Sequence, residues 1–273
     1  VNLTPDYTSI FCETYDEMES LKDPSRYGSV SDLSFYQERV KEHPAFHRGL
    51  DLLELGAGTG RVAFPLAKLV GKVTALDASS DMVAHMRTES RRRGVENMDI
   101  VEGRFEDFRF DRMFDVILLP FNNAHYLENA QAFRSFLANA WTHLKPGGCV
   151  YIDAEFSLDP SGLDGFEHRE WREVELGTGA TRLYLFTSCR NEGSTRLDLA
   201  TKILEYSSTS PHVKTFETRS SHFTHDLTES LVATRSLEGS AVRCFGGDYL
   251  TRFEPRSPLQ RCVIECTKRG PQV

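Results

Sequence analysis

Glu54, the glycines at 56, 58 and 60, and Asp77 are the residues of this chain whose types and spacing could do chemistry. They fall in Asp51-Leu-Leu-Glu-Leu-Gly-Ala-Gly-Thr-Gly60 and, one strand later, Val73-Thr-Ala-Leu-Asp77. The apolar run 50–55 predicts a buried parallel strand, the glycines a tight turn, and 61–69 a helix. Glycine suits such a turn because a ligand can approach its backbone and because the turn needs unusual dihedrals. Asp77 closes the second strand, where an acceptor-only carboxylate could take both hydroxyl protons of a ribose. The pattern predicts a nucleoside-cofactor site; a glycine turn that only links strand to helix is the plain alternative.

Two cofactors suit this layout, nicotinamide dinucleotides and S-adenosyl-L-methionine. The dinucleotide fingerprint puts its third glycine three residues after the second, to admit a pyrophosphate at the helix start. Here Gly60 follows Gly58 by two. Glu54 would also set a negative charge near a pyrophosphate, whereas it can accept from the ammonium of a methionine moiety. The residues therefore favour S-adenosyl-L-methionine. A nicotinamide-dependent reductase is the rival, weakened by the lack of a convincing proton-relay pair.

A second group of candidates follows the fourth predicted strand. Pro120-Phe-Asn-Asn-Ala-His-Tyr126 leaves the carboxyl end of that strand, where open sheets of this kind bind ligands. Asn122 could orient a substrate through its amide, and His125 is the titratable candidate for taking a proton. A solvated histidine at a helix start is the competing reading. Tyr7, Tyr15, Phe105 and Phe121 could line a pocket for a cationic cofactor, each stabilising it by roughly 0.5–2 kcal/mol if well placed; core packing is the alternative for each. His168, His222 and His225 could line the far side.

The elements that must position these residues alternate in type. Strands are expected at 50–55, 72–77, 98–102, 114–119 and 149–154, with helices at 61–69, 81–93 and 130–144. Ser79 or Ser80 could cap the second of those helices, and Lys145-Pro-Gly-Gly148 forms a turn. This rhythm implies an α/β, Rossmann-like, doubly wound, mostly parallel sheet. Residues 1–48 read as an aromatic-rich helical N-terminal cap. Residues 155–180 look loop-like, and 182–189, 197–206 and 213–223 alternate as antiparallel strands. A short helix at 228–237 and strands at 241–247 and 262–268 close the core. The expected organisation is a core of 1–155 and 226–273 with an antiparallel β insertion at 156–225, serving as substrate lid or oligomer contact.

Composition bounds the function. The chain has 273 residues, 40% hydrophobic and 26% charged, and no apolar run long enough to span a bilayer. A net charge of −8 argues against nucleic-acid binding. Arg91-Arg92-Arg93 ends a predicted helix, where cations suit the dipole. Six cysteines are scattered, so neither a metal site nor a disulfide framework is expected. Residues 1–7 lack the basic start and apolar stretch of a secretory signal, which sets a cytoplasmic expectation. The insertion's strands offer an edge, so a homodimer is the default partner expectation.

With these motifs in order, the chain resembles the class I S-adenosylmethionine-dependent methyltransferases over the whole core. Glu54-Leu-Gly-Ala-Gly-Thr-Gly60 is similar to their glycine motif, Asp77 to their ribose-binding acid, Gly103-Arg-Phe-Glu-Asp107 to their adenine-contacting turn, and Leu144-Lys-Pro-Gly-Gly148 to the turn before the fifth strand. Thr59-Gly-Arg-Val-Ala-Phe-Pro65, Leu119-Pro-Phe-Asn122 and the insertion resemble small-molecule N-methyltransferases of antibiotic and secondary metabolism, including the amino-sugar, lincosamide and mitomycin types. Tyr15-Asp16 matches a cap tyrosine that lies over the cofactor in that group. Arg104 departs from the group, which often carries an acid there; adenine recognition then leans on the backbone around Phe105, on Glu106, or on another acceptor.

The resemblance implies a cofactor-binding set of Tyr15, Glu54, Gly56, Ala57, Gly58, Arg61, Asp77, Ala78, Met82, Phe105, Glu106 and Pro120, and a catalytic set of Tyr7, Tyr15, Asn122 and His125. It implies in-line methyl transfer to an amine nitrogen of a natural-product intermediate. O-methylation with His125 as base is the alternative, and a non-catalytic cofactor-binding protein the further one.

Overall fold

A computed structural model describes residues 12, 15, 32–158, 167–175, 180–189, 196–207, 210–246 and 259–270. Tyr7 and Asp16 lie outside the described residues. Seven strands form the main sheet: β1 (Asp51–Leu55), β2 (Lys72–Asp77), β3 (Met98–Glu102), β4 (Phe114–Leu119), β5 (Leu144–Ser157), β10 (Ser240–Gly246) and β11 (Leu259–Lys268). Their order is β10-β11-β5-β4-β1-β2-β3. The pairs among β1 to β5 are parallel, and β11 runs antiparallel between β5 and β10. A second, antiparallel sheet has the order β6 (Glu167–Glu175), β7 (Ala180–Cys189), β8 (Arg196–Ser207) and β9 (Ser210–Phe223).

The two faces of the main sheet are covered separately because side chains alternate along each strand. Leu53, Leu55, Ile117, Leu119, Val150 and Ile152 pack against Phe133, Phe136 and Leu137 of the helix Ala130–Thr142 and Leu227 of the helix Leu227–Arg235. Leu52, Val116, Leu118 and Tyr151 face Phe35 and Tyr36 of the helix Asp32–Glu42 and Phe64 of the helix Ala63–Ala67. Alternation puts Glu54 on this second face.

The structure adjusts several sequence expectations. The helix expected at 61–69 is only Ala63–Ala67, with Pro65 in its first turn, where a missing N–H costs little. The Lys145-Pro-Gly-Gly148 turn lies inside β5, and the β4–β5 register jumps from Phe114↔Leu144 to Val116↔Cys149, with Gly147 at φ 83°. The stretch read as loop over 155–180 contains β6, whose Glu-His-Arg-Glu-Trp-Arg-Glu-Val-Glu sequence has too few apolar residues to show a two-residue period. The other strands and helices lie within a few residues of their expected places. Ser79 caps the helix Ser80–Arg93 by accepting from the Met82 N–H at 3.3 Å.

The second sheet packs against the start of that helix. Tyr184 of β7 and Ile203 of β8 are buried with Met82 and Cys12, and Tyr15, Phe186 and Phe216 pack around them.

Candidate active site

The glycine turn is built at the carboxyl end of β1. Gly56 and Ala57 donate to the Leu76 carbonyl at 2.8 and 3.0 Å, tying the turn to β2. Gly56 has φ 70°, and a Cβ on it would sit 2.5 Å from the Asn123 amide nitrogen. That amide donates to the Leu55 and Gly56 carbonyls at 3.2 and 2.9 Å, so Asn123 closes the turn from above. Gly58 has φ 57°, and a Cβ there would meet no protein atom within 4 Å. The left-handed backbone there favours glycine, and the space beside it is open.

Asp77 joins the turn to the next helix. One carboxylate oxygen accepts from the Gly58 N–H at 2.7 Å and the other from the Ser79 N–H at 2.8 Å. Each oxygen keeps lone-pair capacity for a further donor. Burial raises its pKa, and these N–H groups pull it back. Gly103 donates to the Asp77 carbonyl at 2.9 Å, which brings the 103–107 turn alongside. There Phe105 is buried edge-on to Phe136, and Glu106 pairs with Arg104 at 2.5 Å. Ala78 is half-buried between Asp77 and the capping Ser79.

Glu54 is 1% exposed and its Oε2 has no hydrogen-bond partner. Burial lifts its pKa to about 8; Arg61 opposes the shift, while Asp32 and Asp77 add to it. Arg61 grips Asp32 through two bonds of 2.9 and 2.5 Å. Burial pushes the Asp32 carboxyl up, yet Arg61, with Arg261 behind it, holds it below the usual carboxylate value.

After β4 the chain takes two consecutive left-handed steps, Phe121 at φ 53° and Asn122 at φ 64°. Neither is glycine, so each costs about 1–3 kcal/mol and must be held by its surroundings. Asn122 Oδ1 accepts from the Glu155 N–H at 2.8 Å, and the Asn122 N–H donates to the Asp153 carbonyl at 2.8 Å. The Phe121 ring lies near two guanidinium groups, Arg61 at 5.2 Å and Arg261 at 4.7 Å. Arg261 makes two bonds of 2.8 Å to the buried Asp153, which also accepts from the Tyr36 hydroxyl at 2.9 Å.

Sequence-expected residues thus meet at one edge: Glu54, Gly56, Ala57, Gly58, Arg61, Asp77, Ala78, Phe105, Glu106, Pro120 and Asn122 stand at or just beyond the carboxyl ends of β1 to β4. Met82 and Tyr15 lie in the adjoining cluster under the second sheet. His125 is neither solvated nor at the surface: it is 2% exposed, its Nε2–H donates to the Glu155 carbonyl at 2.7 Å, and burial lowers its pKa. A proton-accepting role would fall to Nδ1. His225 is also buried, bonded at 2.9 Å to the Ala124 carbonyl and pushed down to about 4 by burial and by His125. Sequence reading missed Asp32, Asn123, Asp153 and Arg261, whose partners are far away in the chain and carry no local motif. No group of three His, Cys, Asp or Glu side chains able to hold a metal occurs among the described residues.

Residues 52–148, which carry this turn and both acids, match the family model described as a methyltransferase domain. This segment is similar to methyltransferase domains. A cypemycin N-terminal methyltransferase of a Streptomyces species is 33% identical over 150 residues, covering 54% of this chain and 55% of that protein. A ubiquinone/menaquinone biosynthesis C-methyltransferase, UbiE, of Bradyrhizobium diazoefficiens is 34% identical over 156 residues, covering 55% and 58%. The chain thus spans about half the length of the curated relatives it matches. Among solved structures, CalS10 with SAM bound, an amino pentose methyltransferase from Micromonospora echinaspora involved in calicheamicin biosynthesis, superposes with a TM-score of 0.71 at 18% identity, covering 96% of this chain and 98% of that one. That likeness extends the shared fold beyond residues 52–148 to the second sheet.

Proposed function

We propose that this chain is an S-adenosyl-L-methionine-dependent methyltransferase acting on an amine nitrogen of a small secondary metabolite. The observation that carries the reading is the orphaned oxygen of Glu54, buried beside the open backbone of Gly58 and the carboxylate of Asp77. An unpartnered buried acceptor is costly, and a cationic ligand group removes the cost. Bound there, the cofactor supplies an electrophilic methyl group on a sulfonium.

The chain's own residues supply placement. Glu54 accepts from the ammonium of the methionine moiety, and Asp77 from the ribose hydroxyls. Gly56, Ala57, Gly58 and Ala78 give backbone approach. Phe105 and Glu106 border the adenine, with Glu106 restrained by Arg104. Pro120 and Asn122 set the wall after β4, and Tyr15 and Met82 close the site beneath the second sheet. Residues 156–225 act as a lid over the acceptor. Arg61 keeps Asp32 ionised and steadies the wall through Phe121. Holding nucleophile and methyl group in line is the main source of acceleration.

The choice of nitrogen rests on the resemblance to small-molecule N-methyltransferases. A hydroxyl acceptor needs a base, whereas an amine offers its lone pair once unprotonated. His125 and His225 are buried and each is bonded through Nε2 to a backbone carbonyl, so a base for a hydroxyl acceptor would be sought at Nδ1 of His125. The relative named as an N-terminal methyltransferase agrees with this choice.

The test is to incubate the purified chain with the cofactor and matched amine and hydroxyl metabolites, following S-adenosylhomocysteine release and product mass. Methylated amines are expected. Products only from hydroxyl acceptors would move the assignment to O-methylation, and tight cofactor binding without turnover on any acceptor would leave a non-catalytic binding protein.

A further inference from the structure

One side chain from the loop after β4 helps to fix two consecutive peptide planes of the glycine turn. The Leu55–Gly56 and Gly56–Ala57 peptides each present one N–H and one carbonyl. Both N–H groups donate to the Leu76 carbonyl of β2, at 2.8 Å from Gly56 and 3.0 Å from Ala57. Both carbonyls accept from the Asn123 amide nitrogen, at 3.2 Å for Leu55 and 2.9 Å for Gly56. Each plane is therefore held at both ends, and turning either one over breaks both of its bonds. The missing side chain of Gly56 has the same explanation. A Cβ there would lie 2.5 Å from the Asn123 amide nitrogen and 2.8 Å from its oxygen, so glycine at 56 makes the seat for Asn123, while the open space for a ligand is at Gly58.

Asn123 also belongs to the other half of the site. Its neighbour Asn122 ties the same loop to β5, through the Asp153 carbonyl and the Glu155 N–H, both at 2.8 Å. His125 adds the Glu155 carbonyl at 2.7 Å. In the sheet β4 stands between β5 and β1, so consecutive side chains anchor the loop to the strands on either side. The left-handed steps at Phe121 and Asn122 make those anchors necessary, since a strained backbone relaxes where its surroundings let go.

We propose that Asn123 is a positioning residue that makes the cofactor turn and the loop forming the acceptor's wall one body, so that a ligand which fixes the turn also fixes the loop. Its two bonds go to backbone carbonyls, so it acts through the turn and not on the substrate. The assignment rests on the reading of Gly58 and Asp77 as the cofactor's seat, and it names the side chain that couples that seat to the wall.

Hydrogen–deuterium exchange of the full chain, with and without S-adenosylhomocysteine, tests the coupling at the turn amides of 56–58 and the loop amides of 121–127. In the wild type, saturating ligand should slow both segments, the loop by about fivefold or more. Asn123→Ala should bind the ligand about tenfold more weakly, the scale of one or two neutral hydrogen bonds. Brought to saturation with more ligand, its turn should slow and its loop should not. A loss of stability alone would speed exchange in both states and leave the ligand's effect on the loop intact. Asn123→Asp keeps the size without a donor and should behave as the alanine variant does. Asn123→Ser keeps one hydroxyl donor, should retain part of the coupling, and serves where the others do not fold. A wild-type loop that ignores the bound ligand, or a variant loop that slows as the wild type does, would overturn the proposal and leave the cofactor reading standing. A wild type that binds no S-adenosylhomocysteine would overturn the cofactor reading, and the proposal with it.

Discussion

The Arg261 guanidinium lies 4.7 Å from the centre of the Phe121 ring while both of its ends are held by the fully buried Asp153. A residue of the last described strand thus braces the strained corner that follows β4. Removing one partner of a buried pair strands the other charge, at a cost of about 3–5 kcal/mol. Arg261→Met is expected to lose stability of that order in urea unfolding. Adding Asp153→Asn should recover part of it, because the neutral amide no longer needs the cation.

Glu54 makes stability depend on pH. Its folded pKa of about 8 lies above the unfolded value of 4.5, so the ligand-free protein is fully stable with respect to this group below about pH 4.5 and loses stability as pH rises through about 8. The loss approaches roughly 5 kcal/mol at high pH. Thermal melts of the ligand-free chain from pH 6 to 9 should show the decline, and Glu54→Gln should flatten it. Cofactor binding at pH 7 should release close to one proton, read by calorimetry in buffers of different ionisation enthalpy. Equal heats across buffers would remove Glu54 from the ligand's side.

Asp77→Ala is expected to weaken S-adenosyl-L-methionine binding by about 10- to 100-fold, the value of one or two charge-assisted hydrogen bonds. Asp77→Asn should fall between, since it keeps one acceptor oxygen. Isothermal titration reads both. Unchanged affinity in the alanine variant would show that Asp77 only anchors the Gly58 and Ser79 N–H groups.

Gly56→Ala and Asn123→Ala break the same junction. The added methyl group must displace the Asn123 amide, so each variant alone frees the Leu55 and Gly56 carbonyls. Their stability losses should combine to less than their sum, leaving about 1 kcal/mol of left-handed strain specific to the alanine at 56. Additive losses would mean that the amide finds another seat.

His125→Ala should lower stability by about 1–3 kcal/mol, because the Glu155 carbonyl loses its donor. His125→Asn carries a donor and should restore much of this. If His125 also took the acceptor's proton, kcat in the asparagine variant would lose its acidic limb; the expected profile keeps it, with the limb belonging to the amine.

Legibility in the sequence followed the range of the forces involved. β3 and β4 were placed residue for residue because short apolar or β-branched runs bounded by turns are local signals, and the glycine turn with Asp77 was readable because its dihedrals and its acid lie within one strand-turn-helix-strand unit. β6 was hidden because an edge strand exposed on one face needs few apolar residues. His125 reads in the sequence as a proton acceptor or a solvated histidine, and Asn123 carries no signal of its own; both turn inward to bond backbone carbonyls, a role set by loop geometry that no spacing rule encodes. Asp32, Asp153 and Arg261 meet only after the sheet is assembled, so nothing near them in the chain announces their partnership.

The threading of β11 between β5 and β10 sets an order of events during synthesis. The ribosome releases Glu54, the glycine turn and Asp77 early, then β5 with Asp153, and only much later the guanidinium that neutralises it. Until β11 emerges, the nascent chain carries an unfilled slot beside β5 and a carboxylate with the Tyr36 hydroxyl but without its cation. A chain arrested before Leu259 would display the whole glycine motif and still lack the brace beneath Phe121, so possession of the motif and completion of the site are separated in time by the making of β11.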